Sequence, residues 1–164
     1  AVGAHNMEMP ILHDNSNIVS SWDVLNGQEV TGDCVVIGGG LVGAETAEYL
    51  ANKGHQVTIV EMMDKIAAGE STTVLPLMMK DFADHNVKQL VNTKVDHIEN
   101  NIVYTANDQI KADTIINALG SKKNIFDDSS ITIPHVCVGD CSGERTADIA
   151  SAIRTAYHAA NEIG

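Results

Sequence analysis

An apolar run followed by three spaced glycines constrains the fold of this chain more than any other feature. Cys34–Ile37 is wholly apolar, and Gly38, Gly40 and Gly43 follow it in the spacing Gly-x-Gly-x-x-Gly. A buried strand that ends in such glycines and leads directly into a helix predicts a turn that binds the pyrophosphate of a dinucleotide. Gly38 allows the tight turn, Gly40 lets the pyrophosphate approach the backbone, and Gly43 lets the helix pack closely on the strand.

The residues after the loop complete this pattern. Leu41 and Val42 open the predicted helix, where unpaired backbone N–H groups and the helix dipole attract phosphates. A second apolar strand ends in Glu61, 18 residues after Gly43, and a carboxylate there can accept hydrogen bonds from the adenosine ribose hydroxyls. The spacing favours this role over that of a merely solvated strand end.

Glu61 also bears on the choice of cofactor. A carboxylate repels a 2′-phosphate, and residues 62–65 contain no arginine to offset it. We therefore expect NADH rather than NADPH, although Lys65 is a positive charge that favours NADPH. Met62 and Lys65, after the second strand, and Val95, after the third, are expected to lie beside the nucleotide.

The composition excludes several other classes of protein. The net charge of −12 argues against nucleic acid and anionic membranes as partners. The three cysteines form no even framework and indicate a reducing, cytoplasmic setting. The chain has no apolar run of the ~20 residues that a membrane span needs and no signal-peptide pattern. The seven histidines, and a cysteine pair four residues apart, have no metal-ligand spacing, so we predict no metal site.

The order of the predicted elements indicates an α/β protein with a Rossmann-type parallel sheet. Three short runs separated by Asn-rich turns predict a three-stranded antiparallel β-meander inserted into it. Residues 1–30 are turn-rich and are interpreted as a connecting segment, with at best a short extended piece at 18–22 and a brief helical turn or a loop at 24–25. Residues 122–130 are interpreted as a polar loop. The strands are predicted at 34–37, 56–60, 87–91, 95–99, 102–105, 109–111, 114–119, 131–133 and 136–138, and the helices at 41–52, 73–86 and from Thr146, as N-cap, towards the C-terminus.

Three motifs carry a resemblance to a known family. They are Gly-Gly-Gly-Leu-Val-Gly-Ala-Glu-Thr-Ala-Glu-Tyr-Leu at 38–50, Val-Thr-Ile-Val-Glu-Met at 57–62 and Asn-Ala-Leu-Gly at 117–120. The chain resembles, over nearly its whole length, the NAD(P)H-binding domain of flavoproteins with two dinucleotide-binding domains. It is most similar to the C-terminal part of multidomain old yellow enzyme relatives, the group of 2-enoate reductases, 2,4-dienoyl-CoA reductases and trimethylamine dehydrogenase.

This resemblance implies roles for further residues. Glu45, which we place in the first turn of the helix, would lie near the nicotinamide, although the helix dipole also stabilises a carboxylate without any function. Gly120 would lie at the cofactor rim, but residues 120–124 depart from the Gly-x-Arg-Pro-Asn pattern of the family. Gly139 and Asp140 would belong to the second nucleotide site, where the aspartate faces a flavin or ADP.

The resemblance also implies a domain organisation. Residues 31–124 would form the NAD(P)H-binding domain, inserted between two other segments. These are a linker and flavin-domain remnant at 1–30, where Ala1, Val2, Gly3 and Ala4 end a flavin-type strand, and a flavin-domain segment at 125–164. The chain would then be a piece of a larger reductase that holds FAD, with FMN and a 4Fe-4S cluster elsewhere in the parent protein. Its partners would be the dinucleotide and the missing flavin and barrel domains.

Three functions remain open at this point. The parent protein would be an NADH-dependent flavin oxidoreductase that reduces activated alkenes, and this chain would bind NADH, supply no catalytic residue and turn over little by itself. Alternatively, the region holds ADP without hydride transfer, as in trimethylamine dehydrogenase, or it is the NAD domain of an NADH oxidase. Apolar surface on the last helix predicts homo-oligomers or non-native packing.

Overall fold

The computed structural model describes residues 3–8, 10–12, 17–68, 73–142 and 149–162. Three residues interpreted above (Ala1, Val2 and Thr146) lie outside these ranges. In chain order, the elements are β1 (Ala4–Asn6), a 3₁₀ turn (Pro10–Leu12), β2 (Ile18–Ser20), α1 (Ser21–Leu25), β3 (Cys34–Ile37), α2 (Leu41–Asn52), β4 (Val57–Val60), α3 (Leu75–Asp84), β5 (Lys88–Leu90), β6 (Val95–Glu99), β7 (Ile102–Thr105), β8 (Gln109–Lys111), β9 (Thr114–Asn117), β10 (Ser121–Lys123), a 3₁₀ turn (Gly139–Ser142) and α4 (Ile149–Glu162).

The chain divides into two compact units. The larger unit is Glu8–Gly120, and the smaller unit combines Ala1–Met7 with Ser121–Gly164. None of the helices in the described ranges is both long and apolar enough to cross a membrane.

A five-stranded parallel sheet forms the centre of the larger unit. Its strand order is β2-β9-β3-β4-β5, so β3 is hydrogen-bonded on both edges. All four residues of β3 and of β9 are buried, which explains why β3 and the two central residues of β9, Ile115 and Ile116, are apolar without alternation. The parallel sheet and the antiparallel strands confirm the predicted α/β fold class.

The helix after the glycine loop has the predicted bounds, Leu41–Asn52. It buries one face of small and branched side chains against the sheet, with Leu50 at 1% exposure. Gly54 has φ +93°, the left-handed conformation that ends a helix at low cost for glycine. The second long helix begins at Leu75, so Pro76 occupies its first turn as predicted.

The three-stranded meander is present where the sequence predicts it. Strands β6, β7 and β8 pair antiparallel in that order. Asn100 and Asn101, between β6 and β7, both have positive φ, a conformation that asparagine tolerates better than most residues. Val103 is fully buried and joins the meander to the core of the larger unit.

The segment around residues 17–25 is more regular than the expected connecting segment and belongs to the sheet unit. Ile18–Ser20 forms β2, which pairs parallel with β9 at the edge of the sheet. Ser20 then caps α1, since its side chain accepts a hydrogen bond from the N–H of Asp23. The reason is tertiary: β9 offers a free edge to which a three-residue strand can bind, and Val24 is fully buried behind it.

Two predicted strands in the smaller unit are wrong. Residues 131–133 and 136–138 form no strand, because no neighbouring strand among the described residues pairs with them. Ile133 and Val136 are 70% and 57% exposed. These residues are apolar but are not buried in this chain. In contrast, residues 121–123, predicted within and beside a polar loop, form β10, which pairs antiparallel with β1.

Candidate nucleotide-binding site

A cavity of about 340 Å³ opens at the carboxyl ends of β3, β4 and β9 in the larger unit. Ligands bind at this edge in open α/β sheets because the loops that follow the strands meet there. It brings together six of the residues predicted from the sequence, which are Gly38, Gly40, Glu61, Met62, Val95 and Gly120.

The three glycines of the loop differ in what surrounds them. Gly38 has φ +101°, and a Cβ there would lie 2.4 Å from the carbonyl oxygen of Ala118. A Cβ at Gly43 would lie 2.0 Å from the carbonyl oxygen of Gly38, so α2 packs directly on the loop. A Cβ at Gly40 would meet no atom within 4 Å, and it would therefore project into open space.

This geometry fits a bound pyrophosphate. Gly40 is the N-cap of α2, and no side chain caps the first turn. The N–H groups of Leu41 and Val42 in that turn could therefore donate to phosphate oxygens, with the helix dipole in support. Leu41 and Val42 themselves lie outside the cavity lining and reach the ligand only through their backbone.

Glu61 is held at the cavity by two backbone hydrogen bonds. Its side chain is part of a residue only 8% exposed. Its Oε2 accepts from the N–H of Gly39 at 2.6 Å, and its Oε1 accepts from the N–H of Met63 at 2.7 Å. Each carboxylate oxygen has further acceptor capacity, so the ribose hydroxyls of a nucleotide could still donate to it.

The segment after Glu61 returns to the glycine loop. The N–H of Ala67 donates to the carbonyl oxygen of Gly39 at 2.7 Å, and Ile66 is 6% exposed. A Cβ at Gly39 would lie 2.5 Å from Cδ1 of Ile66, so a larger residue there would require the buried Ile66 side chain to shift. Residues 62–66 are thus anchored at both ends to Gly39, by the Glu61 carboxylate at its N–H and by the N–H of Ala67 at its carbonyl oxygen.

Sequence reasoning missed several residues of the cavity. The N–H of Thr93 donates to the carbonyl oxygen of Glu61 at 2.8 Å, which brings Thr93 and the basic Lys94 to the same edge. The sequence could have predicted these two residues, because they follow the parallel strand β5, whose carboxyl end must reach the edge where ligands bind. Ile11 comes from the segment interpreted as a connection and had no such signal. The missed lining residues are Ile11, Ile37, Val60, Met63, Thr93, Lys94, Ala118 and Leu119.

Four predicted site residues lie elsewhere. The predicted position of Glu45 in the first turn of the helix is wrong, because α2 begins at Leu41 and has no acid in its first turn. Glu45 lies in the second turn and is exposed. Lys65 is exposed and lies outside the cavity lining. Gly139 and Asp140 belong to the smaller unit, in a 3₁₀ turn where the N–H of Gly139 donates to Oγ1 of Thr155 at 2.8 Å.

The chain is similar to known proteins over nearly all of its length. A family model described as pyridine nucleotide-disulphide oxidoreductase matches residues 1–161. Bilirubin reductase of Mediterraneibacter gnavus is 44% identical over 172 aligned positions, which cover 99% of this chain and 27% of that protein. Cinnamate reductase of Clostridium sporogenes is 30% identical over 159 positions, covering 89% of this chain and 23% of that protein.

A solved structure gives the same result. The structure of a 2-naphthoyl-CoA reductase in complex with 2-naphthoyl-CoA superposes with a TM-score of 0.80 at 27% identity, over 96% of this chain and 25% of that one. This chain therefore spans about a quarter of the length of the proteins it matches.

Proposed function

The chain belongs to the pyridine nucleotide-disulphide oxidoreductase family of flavoproteins, and we propose that its larger unit binds NADH for hydride delivery to a flavin. In this assignment the NAD(P)H-binding domain, predicted at residues 31–124, is the compact unit Glu8–Gly120, and the smaller unit is formed by parts of a flavin-type domain. Asp140 and Gly139 would contact FAD in the parent protein.

One arrangement carries this proposal. The open space at Gly40 and the rigid carboxylate of Glu61 line the same cavity, as the pyrophosphate and the adenosine ribose of one dinucleotide require. The loop would bind phosphate through backbone N–H groups, which explains how a chain of net charge −12 can hold an anion.

The choice of NADH over NADPH follows from the buried acid. A 2′-phosphate would lie next to the carboxylate of Glu61, which two backbone hydrogen bonds hold in place and prevent from turning away. Lys65 is exposed outside the cavity. Lys94 lines the cavity but carries a point charge without the planar fork by which arginine binds a phosphate.

The substrate class of the parent protein is proposed from its relatives. Two relatives are named as reductases of bilirubin and of cinnamate, and cinnamate is itself a 2-enoate. We therefore assign the parent protein to the 2-enoate type of old yellow enzyme relatives, with FMN and a 4Fe-4S cluster outside this chain. The nicotinamide supplies the hydride when bound, and the residues of this chain bind it, orient it and exclude water.

A titration of the purified chain with NADH, NADPH and ADP tests the proposal. We expect the dissociation constant to be lowest for NADH, about tenfold or more below that of NADPH, which corresponds to ~1.4 kcal/mol. Isothermal calorimetry or nicotinamide fluorescence would measure it. NADH binding no tighter than ADP binding would instead identify a nucleotide-binding module without hydride transfer.

A further inference from the structure

Two thioether side chains stand exposed in the wall of the nucleotide cavity. Met62 and Met63 both line it, and they are 66% and 57% exposed. Met78 of α3 differs, since it is 2% exposed and belongs to the hydrophobic core, against which Met79 packs half-buried. A reagent in solution would therefore reach the pair at the cavity and leave Met78 untouched.

Two hydrogen bonds hold the main chain at this pair. The N–H of Met63 donates to Oε1 of Glu61 at 2.7 Å. Its carbonyl oxygen accepts from the N–H of Asn92 at 2.8 Å. Both bonds use main-chain atoms of Met63, so a change to the thioether leaves them intact. Chemical modification of the pair should then alter the cavity wall while the fold is retained.

We propose that Met62 and Met63 form an oxidation-sensitive pair, at which peroxide lowers the affinity of the cavity for NADH. The inference rests on the proposed function of this cavity. Hydrogen peroxide transfers one oxygen atom to each thioether sulfur: its O–O bond breaks, an S–O bond forms, and water leaves. The sulfur loses two electrons and the peroxide gains them, and methionine sulfoxide reductases reverse the change.

The direction of the effect follows from the chemistry of the sulfoxide. A thioether is apolar and makes favourable contacts with aromatic rings worth about 0.3–1.5 kcal/mol, and the adenine of a dinucleotide is such a ring. A sulfoxide is polar and chiral, and it disrupts apolar contacts. Loss of these contacts at one or both residues should weaken NADH binding about three- to tenfold.

The experiment compares the full chain with Met62→Leu/Met63→Leu, which keeps the apolar volume but cannot form sulfoxides. Both proteins are treated with hydrogen peroxide and then with dithiothreitol, which reduces oxidised thiols but not sulfoxides. Peptide mass spectrometry locates the added oxygen, and NADH titration gives the dissociation constant before and after treatment. We expect Met62 and Met63 to be oxidised before Met78 and the unaltered chain to lose affinity about three- to tenfold. Methionine sulfoxide reductase should restore it, and the double variant should not respond.

Each other outcome has a defined meaning. Oxidation of Met78 at the same rate as Met62 and Met63 would overturn the proposal, as would an unchanged dissociation constant after both are oxidised. An equal loss of affinity in the double variant would assign the effect to other residues and would also overturn it. A chain that binds no NADH before peroxide is added would reject the proposed function itself, which separates that failure from failure of the oxidation step.

Discussion

The carboxylate of Glu61 accepts a hydrogen bond from the backbone N–H of Gly39, 22 residues earlier in the chain, at 2.6 Å. The acid that would bind the ribose therefore also fixes the loop that would bind the phosphates. Because both functions depend on one side chain, a change at Glu61 should affect stability and nucleotide affinity together.

Replacing Glu61 with glutamine should show this double effect. The glutamine NH₂ group would face one of the two backbone N–H groups, so one hydrogen bond is lost in a nearly buried place. We expect a loss of about 1–3 kcal/mol in the free energy of unfolding and about tenfold or more in NADH affinity. Urea denaturation and NADH titration measure the two. Glu99→Gln is the matched control for stability, because Glu99 is exposed on β6 and lies outside the cavity lining; unchanged NADH affinity in Glu61→Gln would contradict the assigned site.

Alanine at Gly40 and at Gly43 should separate binding from folding. A Cβ at Gly40 meets no atom within 4 Å and its φ is −62°, so Gly40→Ala should fold normally but occupy the space of the phosphates. We expect its NADH affinity to fall about tenfold or more. A Cβ at Gly43 would lie 2.0 Å from a carbonyl oxygen, so Gly43→Ala should lose about 1–3 kcal/mol of stability or more. Thermal unfolding and NADH titration test the pair, and normal NADH binding by Gly40→Ala would argue against phosphate at the loop.

Two carboxyl groups between α2 and α3 should make stability depend on pH. Burial, a hydrogen bond to Asp81 and the negative charges of Asp81 and Glu45 raise the pKa of Glu48 above 4.5. A raised pKa in the folded state means that this stability is fully present below pH 4.5 and is lost as pH rises through the folded-state pKa. Glu48→Gln should therefore stabilise the chain at neutral pH, by no more than about 0.5–1 kcal/mol because the site is largely solvated.

Urea denaturation of Glu48→Gln across this pH range measures the effect. Asp81→Asn should give a similar gain, and the double variant should gain little more, because the same repulsion is removed only once. A gain at neutral pH that persists unchanged below the unfolded pKa of Glu48 would contradict the pair as its cause.

The thiol of Cys34 should be inert in the folded chain. Burial in β3, together with the charges of Asp33 and Asp113, raises its pKa to about 11. At about pH 8 only about one molecule in a thousand would carry the reactive thiolate. Mass spectrometry after brief alkylation should find Cys34 unmodified and Cys141, which is half-buried, modified. Labelling after denaturation is the control, and equal rates at both cysteines in the folded chain would contradict this assignment.

The last helix should promote self-association. Ile149, Ile153 and Tyr157 follow each other at four-residue spacing on α4 and are 79%, 66% and 66% exposed. Such a continuous apolar face favours contact with a second copy of the chain. Light scattering should show a mass that rises with concentration, and Ile153→Lys should reduce it. Glu162→Lys places a lysine on the opposite side of the helix from Ile153 and should have little effect; a monomer at all concentrations would contradict the expectation.

Most elements of the larger unit could be predicted from the sequence, because each is specified by residues within or directly beside it. The bounds of α2 follow from a glycine at each end, and the meander strands from alternating residues and asparagine turns. The prediction failed where structure depends on distant partners. Ile18–Ser20 becomes a strand only because β9 offers it an edge, while Val136 and its neighbours resemble a strand but have no partner within the described residues.

The same distinction applies to the candidate site. The glycine loop and Glu61 could be predicted because their spacing along the chain is itself the signal. Ile11 could not, since nothing in the sequence near it indicates which cavity it lines. Thr93 and Lys94 are an intermediate case. They follow β5, whose carboxyl end must reach the cavity, but their positions depend on the hydrogen bond from the N–H of Thr93 to the carbonyl oxygen of Glu61.

Both polar groups of the Gly39 peptide backbone are bonded to the chain that follows β4, the N–H to Glu61 and the carbonyl oxygen to Ala67. The residues between these two anchors can therefore vary in chemistry while their number stays fixed. Residues 62–65 could therefore be substituted, without any change in the length of the segment, by residues that recognise a different nucleotide. Nucleotide preference could then diverge among relatives while the phosphate loop remains unaltered.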